Sequence, residues 1–320
     1  METPLTYAII GTGAIGGYYG ALFHRSGKEV HFLLHSDYEH VRRQGLRVFS
    51  VKGDFLLPQV NAYGRAEDLP RCDVAVVALK ATANAALPGI LPSVLNEKGI
   101  VLLLQNGFGQ EGLIAPIPGV KTILSGLCFI CSAKTAPGTI RHQDYGSLNL
   151  SQYTPDQTPG GITPIMRQIA ADFALAGIPV DLNPDLIDAR WRKLVWNVPF
   201  SGLTTLFGID TAEVLNAEPL QILARDLMLE VVAGAAAFER NIPESFVDKM
   251  MSDTLQMRPY FPSMKLDFDA GKAMELDAMY KEPLAAVALR GKRLTRMEML
   301  YEELSFLQDK NITYLSDWEV

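Results

Sequence analysis

The stretch YAIIGTGAIGG, Tyr7–Gly17, decides the fold of the first half of this chain. A short apolar strand, Thr6–Ile10, runs into Gly11, Gly13 and Gly16, and a helix over Ala14–Ser26 follows, stopped by Gly27. G-x-G-x-x-G is a weak signal alone and a strong one between a strand and a helix. Gly11 permits the tight turn, Gly13 lets backbone approach a pyrophosphate, and Gly16 lets helix and strand pack closely. The free N–H groups around Thr12, Ala14 and Ile15, at the positive end of the helix, attract phosphate. The competing reading, a tight turn with no ligand, does not need all three glycines in this context.

Working outward, Glu29–Leu34, Cys72–Leu79 and Gly99–Gln105 are apolar runs of strand length. Between the last two lies a helical segment broken by Pro88 and Pro92. Apolar strands separated by helices indicate a parallel sheet covered on both faces. Ile123–Ile130, Thr139–His142 and Ser147–Leu150 lie closer together and read as hairpin-like strands. The polar loop Ser151–Gly161, a helix Ile162–Ala176 and a strand Ile178–Leu182 close this Rossmann domain, residues 1–183.

The second strand ends at His35-Ser36, where a carboxylate would bind the ribose of NAD and an arginine would suit the phosphate of NADP. The missing carboxylate favours NADP, with His35, Ser36 and Arg42 or Arg43 as candidate phosphate partners. Two more strand ends carry polar residues: Lys80 after VAVVAL, and Gln105-Asn106-Gly107 after LLL. Ligands of open parallel sheets sit outside such carboxyl ends.

After Asn183-Pro184 the strand signals stop. Asn183 reads as a cap, Pro184 as a first helical residue, and helical periodicity recurs over Asp185–Thr205, Leu220–Arg240, Ser263–Arg290 and Thr295–Leu307. Residues 184–320 are therefore expected to form an all-α domain. Within WRKLVWN, Trp191–Asn197, Lys193 and Asn197 are i and i+4, and Ser201 follows at the same spacing. They make one polar stripe on an otherwise apolar helix, which Pro199 is expected to kink. The competing reading of Lys193 is a snorkelling lysine whose stem covers a tryptophan.

The formal net charge of −7 argues against nucleic acid and anionic membranes as partners. No apolar run has bilayer length, and METPLTYAIIG lacks a basic n-region. Cys128 and Cys131 form a CxxC without the second ligand pair of a structural zinc. Together with Cys72 they read as reduced, packed thiols, so no metal and a cytoplasmic location are expected.

GTGAIGG at the N-terminus, LKA at 79–81, QNGFG at 105–109, KLVWN at 193–197 and SM…E at 263–275 occur in one order and spacing. The chain resembles the ketopantoate reductase family (2-dehydropantoate 2-reductase) over nearly its whole length. The resemblance implies a Rossmann domain, a C-terminal helical domain like that of 6-phosphogluconate dehydrogenase, and NADPH-dependent reduction of a 2-keto acid in a cleft between them. By the same resemblance Lys193 is the catalytic lysine and Asn197 and Ser263 are substrate contacts. Asn106 lies near nicotinamide and substrate, Lys80 and Ala133 near the cofactor, and Glu275 closes over both. Without the resemblance, Glu275 would read as a solvated glutamate beside Lys272 and Asp277.

Three positions depart from the family pattern. His35 stands for the usual arginine, Ser201 for a second asparagine, and Lys281 for a glycine. Ser201 and Lys281 keep open a related reductase of another 2-keto acid or a β-hydroxy acid. A non-catalytic NADP-binding sensor is a further alternative, against which the intact Lys193, Asn197 and Glu275 argue. An exposed helical domain leaves homodimerisation open.

Overall fold

The computed structural model describes residues 4–316, with side chains to residue 310. The ends of the two domain readings, residues 1–3 and 317–320, lie outside the described residues. Two compact units divide the chain. One holds the residues up to Asn106 together with Gln110–Leu186; the other holds Gly107–Gly109 and the residues from Ile187 onward.

In the first unit ten strands form one sheet: β1 (Tyr7–Ile10), β2 (Val30–Leu33), β3 (Leu46–Ser50), β4 (Phe55–Leu57), β5 (Asn61–Tyr63), β6 (Cys72–Val77), β7 (Leu95–Leu103), β8 (Thr122–Ala136), β9 (Thr139–Gln152) and β10 (Val180–Leu182). The order is β4-β3-β9-β8-β7-β6-β1-β2-β5, with β10 on β9. From β5 across to β8 every pairing is parallel. The chain leaves β1 towards β2 and later returns on its other side at β6, so β1 marks the switch point at which such sheets bind ligands. β1 and β6 are buried throughout, which explains their unbroken apolar sequence. The helices are α1 (Ala14–Arg25), α2 (Tyr38–Gln44), α3 (Leu87–Val94), α4 (Gln110–Ile114) and α5 (Pro164–Leu175).

Two sequence expectations change here. Thr139–His142 and Ser147–Leu150 are one continuous strand, β9, forming a long antiparallel hairpin with β8. Tyr145 at φ 61°, Gly146 at φ 109° and the register shifts supply the irregularity that splits the pattern. The short elements α2, β3, β4 and β5 carried no expectation. Each is too brief for periodicity to register, and β3 is held by its distant partner β9.

The second unit is helical: α6 (Leu186–Phe207), α7 (Thr211–Asn216), α8 (Glu218–Ala236), α9 (Glu244–Gln256), α10 (Ser263–Asp269), α11 (Glu282–Ala288) and α12 (Thr295–Ser316). α6 starts at Leu186, two residues after Pro184, and the Asn183 side chain accepts the N–H of Asp185 in the turn before it. The helix runs on through Pro199. The expected single helix over 263–290 is instead α10, a break, a π-helical turn Asp277–Lys281, and α11. Gly271, at φ 66°, ends α10, which a reading of apolar periodicity alone overlooks. Trp191 is fully buried against Phe108 and Phe238 and anchors α6.

Among the described residues no helix is long and apolar enough to cross a membrane, and no group of three or more His, Cys, Asp or Glu is placed to hold a metal ion. All three cysteines are free thiols. Burial pushes the Cys72 thiol up to about 12, so it stays protonated.

Candidate functional site

The first element of the site is a cleft of about 670 Å³ in the α/β unit, over the carboxyl ends of β1 and β2. Gly11, Thr12 and Gly13 line it. Gly11 sits at φ 97°, a conformation open to glycine and strained for other residues. A Cβ on Gly16 would lie 2.2 Å from the carbonyl oxygen of Gly11 and 2.9 Å from both Ala78 and Ile9, so only glycine lets α1 start this close to the sheet. A Cβ on Gly13 would meet nothing within 4 Å. That side of the turn is open, which leaves room for a pyrophosphate beside the N-terminus of α1. Thr12 is buried and its hydroxyl donates to the Leu33 carbonyl at 3.1 Å, tying the turn to the end of β2. Leu79, Ala83, Ala86 and Ile90 form an apolar wall suited to a flat base. The chain's residues therefore fit a dinucleotide.

His35 and Ser36 line the cleft as expected, but Arg42 and Arg43 do not. Both arginines pair with Glu39, at 3.0 and 3.2 Å, along α2. The cations that line the cleft are Arg65 and Lys134. Neither carried a signal in the sequence: Arg65 lies in an irregular segment after β5, and Lys134 near the tip of the β8–β9 hairpin. Asp37 was also missed. Its buried carboxylate takes Lys134 at 2.6 Å, the Gly138 N–H at 2.9 Å and the Ser36 hydroxyl at 3.1 Å. Burial alone would raise its pKa, but the Lys134 ammonium and the Gly138 N–H outweigh it and hold the carboxyl below its usual range. Ala133, the neighbour of Lys134 on β8, is half-buried and is not among the cleft-lining residues.

Lys80 is exposed at the start of the short helical turn Ala81–Ala86. Near it, the Asn84 amide donates to Gln105 at 3.2 Å and to Gln110 at 2.8 Å. Gln105 in turn donates to the Leu79 carbonyl at 2.9 Å and to Asn84 at 2.6 Å. This network holds the backbone immediately before Asn106 at a fixed depth.

The second element lies in the helical unit. Asn197 and Ser201 are buried on α6, and Lys193 is partly buried on the same stripe. The Asn197 amide faces the Met279 sulfur at 4.0 Å. Met279 belongs to the π-helical turn that follows Glu275, and its N–H donates to the Glu275 carbonyl at 3.0 Å. The buried Tyr280 hydroxyl donates to the Val198 carbonyl at 2.8 Å, next to Pro199. Gly202 makes this approach possible, since a Cβ there would lie 2.7 Å from the Tyr280 oxygen. π-turns of this kind recur at functional sites. Glu275 is buried, in contrast to a solvated helix glutamate, and Asp277 pairs loosely with Lys281 at 3.8 Å rather than with Lys272. Gly107–Gly109 packs in this unit as well. The Phe108 N–H donates to the Ala278 carbonyl at 2.8 Å, and Gly107, at φ 90°, has no room for a side chain against Ala278. Ser263 is exposed at the first position of α10.

The model of the family described as ketopantoate reductase PanE/ApbA matches residues 7–155, and the model of its C-terminal domain matches residues 185–308. A 2-dehydropantoate 2-reductase of Nostoc sp. is 47% identical over 307 residues, 96% of each chain. The crystal structure of 2-dehydropantoate 2-reductase from Geobacter metallireducens superposes with a TM-score of 0.90 at 39% identity, covering 94% of this chain and 99% of that one. A ternary structure of D-mandelate dehydrogenase with NADH and anilino(oxo)acetate shares the fold at 19% identity and a TM-score of 0.85, over 96% of this chain and 99% of that one.

Proposed function

The chain belongs to the ketopantoate reductase family of oxidoreductases, and we propose that it reduces 2-dehydropantoate to pantoate with NADPH. The observation that carries this reading is the 47% identity over the whole chain to a protein of that name. The Lys193–Asn197–Ser201 stripe, buried at Asn197 and Ser201 and braced by the turn after Glu275, offers the chemistry such a reaction needs. Residues 1–183 act as the cofactor domain and 184–320 as the substrate and dimerisation domain, in a small-molecule enzyme of the cytoplasm.

NADPH, when bound, supplies the hydride. Gly11, Thr12, Gly13, Ala14, Ile15 and Gly16 would hold its pyrophosphate and His35 would lie by the adenosine ribose; Lys80 and Ala133, which do not line the cleft, are cofactor contacts by the family resemblance alone. Lys193 places its ammonium against the ketone oxygen, polarises it, and gives up one proton as negative charge develops there; water then reprotonates the amine. Asn197 and Ser201 hold the hydroxyl-bearing part of the substrate by hydrogen bonds, and Ser263 takes its carboxylate. Asn106 and Glu275 are the further substrate and cofactor contacts that the family resemblance assigns.

Ser201, shorter than asparagine, favours as the second reading a reductase of a bulkier 2-keto acid. A steady-state screen of 2-keto acids with NADPH, led by ketopantoate, separates them. The highest kcat/KM with ketopantoate supports the first reading, and a higher value with another 2-keto acid replaces it by the second. NADPH binding without turnover of any member overturns both in favour of a sensor.

A further inference from the structure

The residue that should select NADP is missing from the end of β2, where His35 stands. The cleft itself shows what takes its place. Two carboxylates line it, Asp37 and Glu67. Asp37 would serve NAD if its oxygens were open to ribose hydroxyls, since that is how a carboxylate beside this strand reads the cofactor. They are committed: one oxygen takes the Ser36 hydroxyl, the other takes Lys134 and the Gly138 N–H. Asp37 is thus neutralised by a partner from the hairpin.

Arg65 is in the opposite condition. Its side chain is 75% exposed, and its bond to Glu67, itself 62% exposed, is 3.3 Å long. An exposed pair of this geometry contributes little and exchanges readily. A phosphate dianion is a stronger partner for a guanidinium than a solvated carboxylate, because it offers several charge-assisted bonds to the planar fork.

Building on the dinucleotide reading of this cleft, we propose that Arg65 is the specificity residue for the 2′-phosphate of NADP, with Lys134 as the positioning residue that keeps the Asp37 carboxylate from repelling it. The selecting charge has moved from the end of β2 to the segment after β5, the strand that pairs with β2 at its outer side.

Titration calorimetry on the full-length chain with NADPH and with NADH tests this without relying on turnover. In Arg65→Gln, NADPH binding weakens about tenfold or more, the scale of one lost bond to a charged group, while NADH binding changes less than about twofold. Lys134→Met should likewise weaken NADPH more than NADH. Equal loss for both cofactors in Arg65→Gln, or no loss, overturns the assignment, as does a wild type that prefers NADH; in each of these cases the dinucleotide reading still stands. A wild type that binds neither cofactor overturns both.

Discussion

The Lys134 ammonium lies 2.6 Å from the Asp37 carboxylate, joining the tip of the β8–β9 hairpin to the segment that follows β2. The pair spans almost a hundred residues of sequence and lines the cleft over β1 and β2. Asp37 is nearly inaccessible while Lys134 is about one-third exposed, so solvent screens the pair only in part. Lys134→Met should cost about 1–2 kcal/mol at neutral pH, between the values for exposed and buried pairs. The folded-state pKa of Asp37 is lowered. Its stabilisation is therefore fully present above the unfolded-state pKa and is lost as pH falls through the folded one. Urea unfolding of wild type and variant should show a gap at pH 7 that closes in strong acid. A gap that persists there would mean that packing, not charge, holds the hairpin tip.

Lys193→Ala should lower kcat by about 100- to 10,000-fold, the range for removing a general acid. NADPH affinity should stay within a few-fold, because the α/β unit holds the glycine turn and the adenosine end of the cleft. Stopped-flow turnover and calorimetric binding on one preparation separate the two effects. Near-normal kcat would remove Lys193 from the chemistry.

Gly16→Ala places a methyl 2.2 Å from the Gly11 carbonyl oxygen, against backbone that cannot step aside. The expected cost is about 1–3 kcal/mol, as for overpacking elsewhere, with weaker binding of NADPH and NADH alike. Both are lost together because the pyrophosphate turn is common to the two cofactors. Thermal unfolding and cofactor titration check it; selective loss of one cofactor would contradict this role for the turn.

Tyr280→Phe removes the hydroxyl that donates to the Val198 carbonyl. Both groups are buried, but the Val198 carbonyl lies inside α6 and keeps its helical N–H donor, so the lost bond should cost about 0.5–1.5 kcal/mol. The π-helical turn after Glu275 should loosen against α6, lowering kcat with little change in NADPH affinity. An unchanged melting temperature would show that water replaces the bond.

Asn84→Ala breaks the bonds to Gln105 and Gln110, which flank Asn106 in sequence. We expect a fall in kcat with both cofactors and partial rescue by Asn84→Asp, which can still accept from Gln105. A fall that Asp does not mend in any degree would point to packing instead of this network.

Much of this could be read from the chain itself. YAIIGTGAIGG sets a strand, a turn and a helix by local sterics, and the open space at Gly13 with the closed space at Gly16 follows from that spacing. The i, i+4 stripe of Lys193 and Asn197 is equally local, because helical geometry alone aligns it. Sequence periodicity failed over 263–290, where a glycine-ended helix and a π-turn replace one long helix. It also could not distinguish Glu275 as buried from Glu275 as solvated.

What only the tertiary structure decided was which charges share the cleft. Arg42 and Arg43 are near His35 in sequence, yet helix α2 turns them onto Glu39. Arg65 and Lys134 are distant in sequence, yet the β2–β5 pairing and the long hairpin bring both to the cleft beside His35. Local motifs depend on backbone geometry within a few residues, so the sequence carries them. Charge pairing depends on which strands become neighbours, and that is settled only when the sheet is assembled.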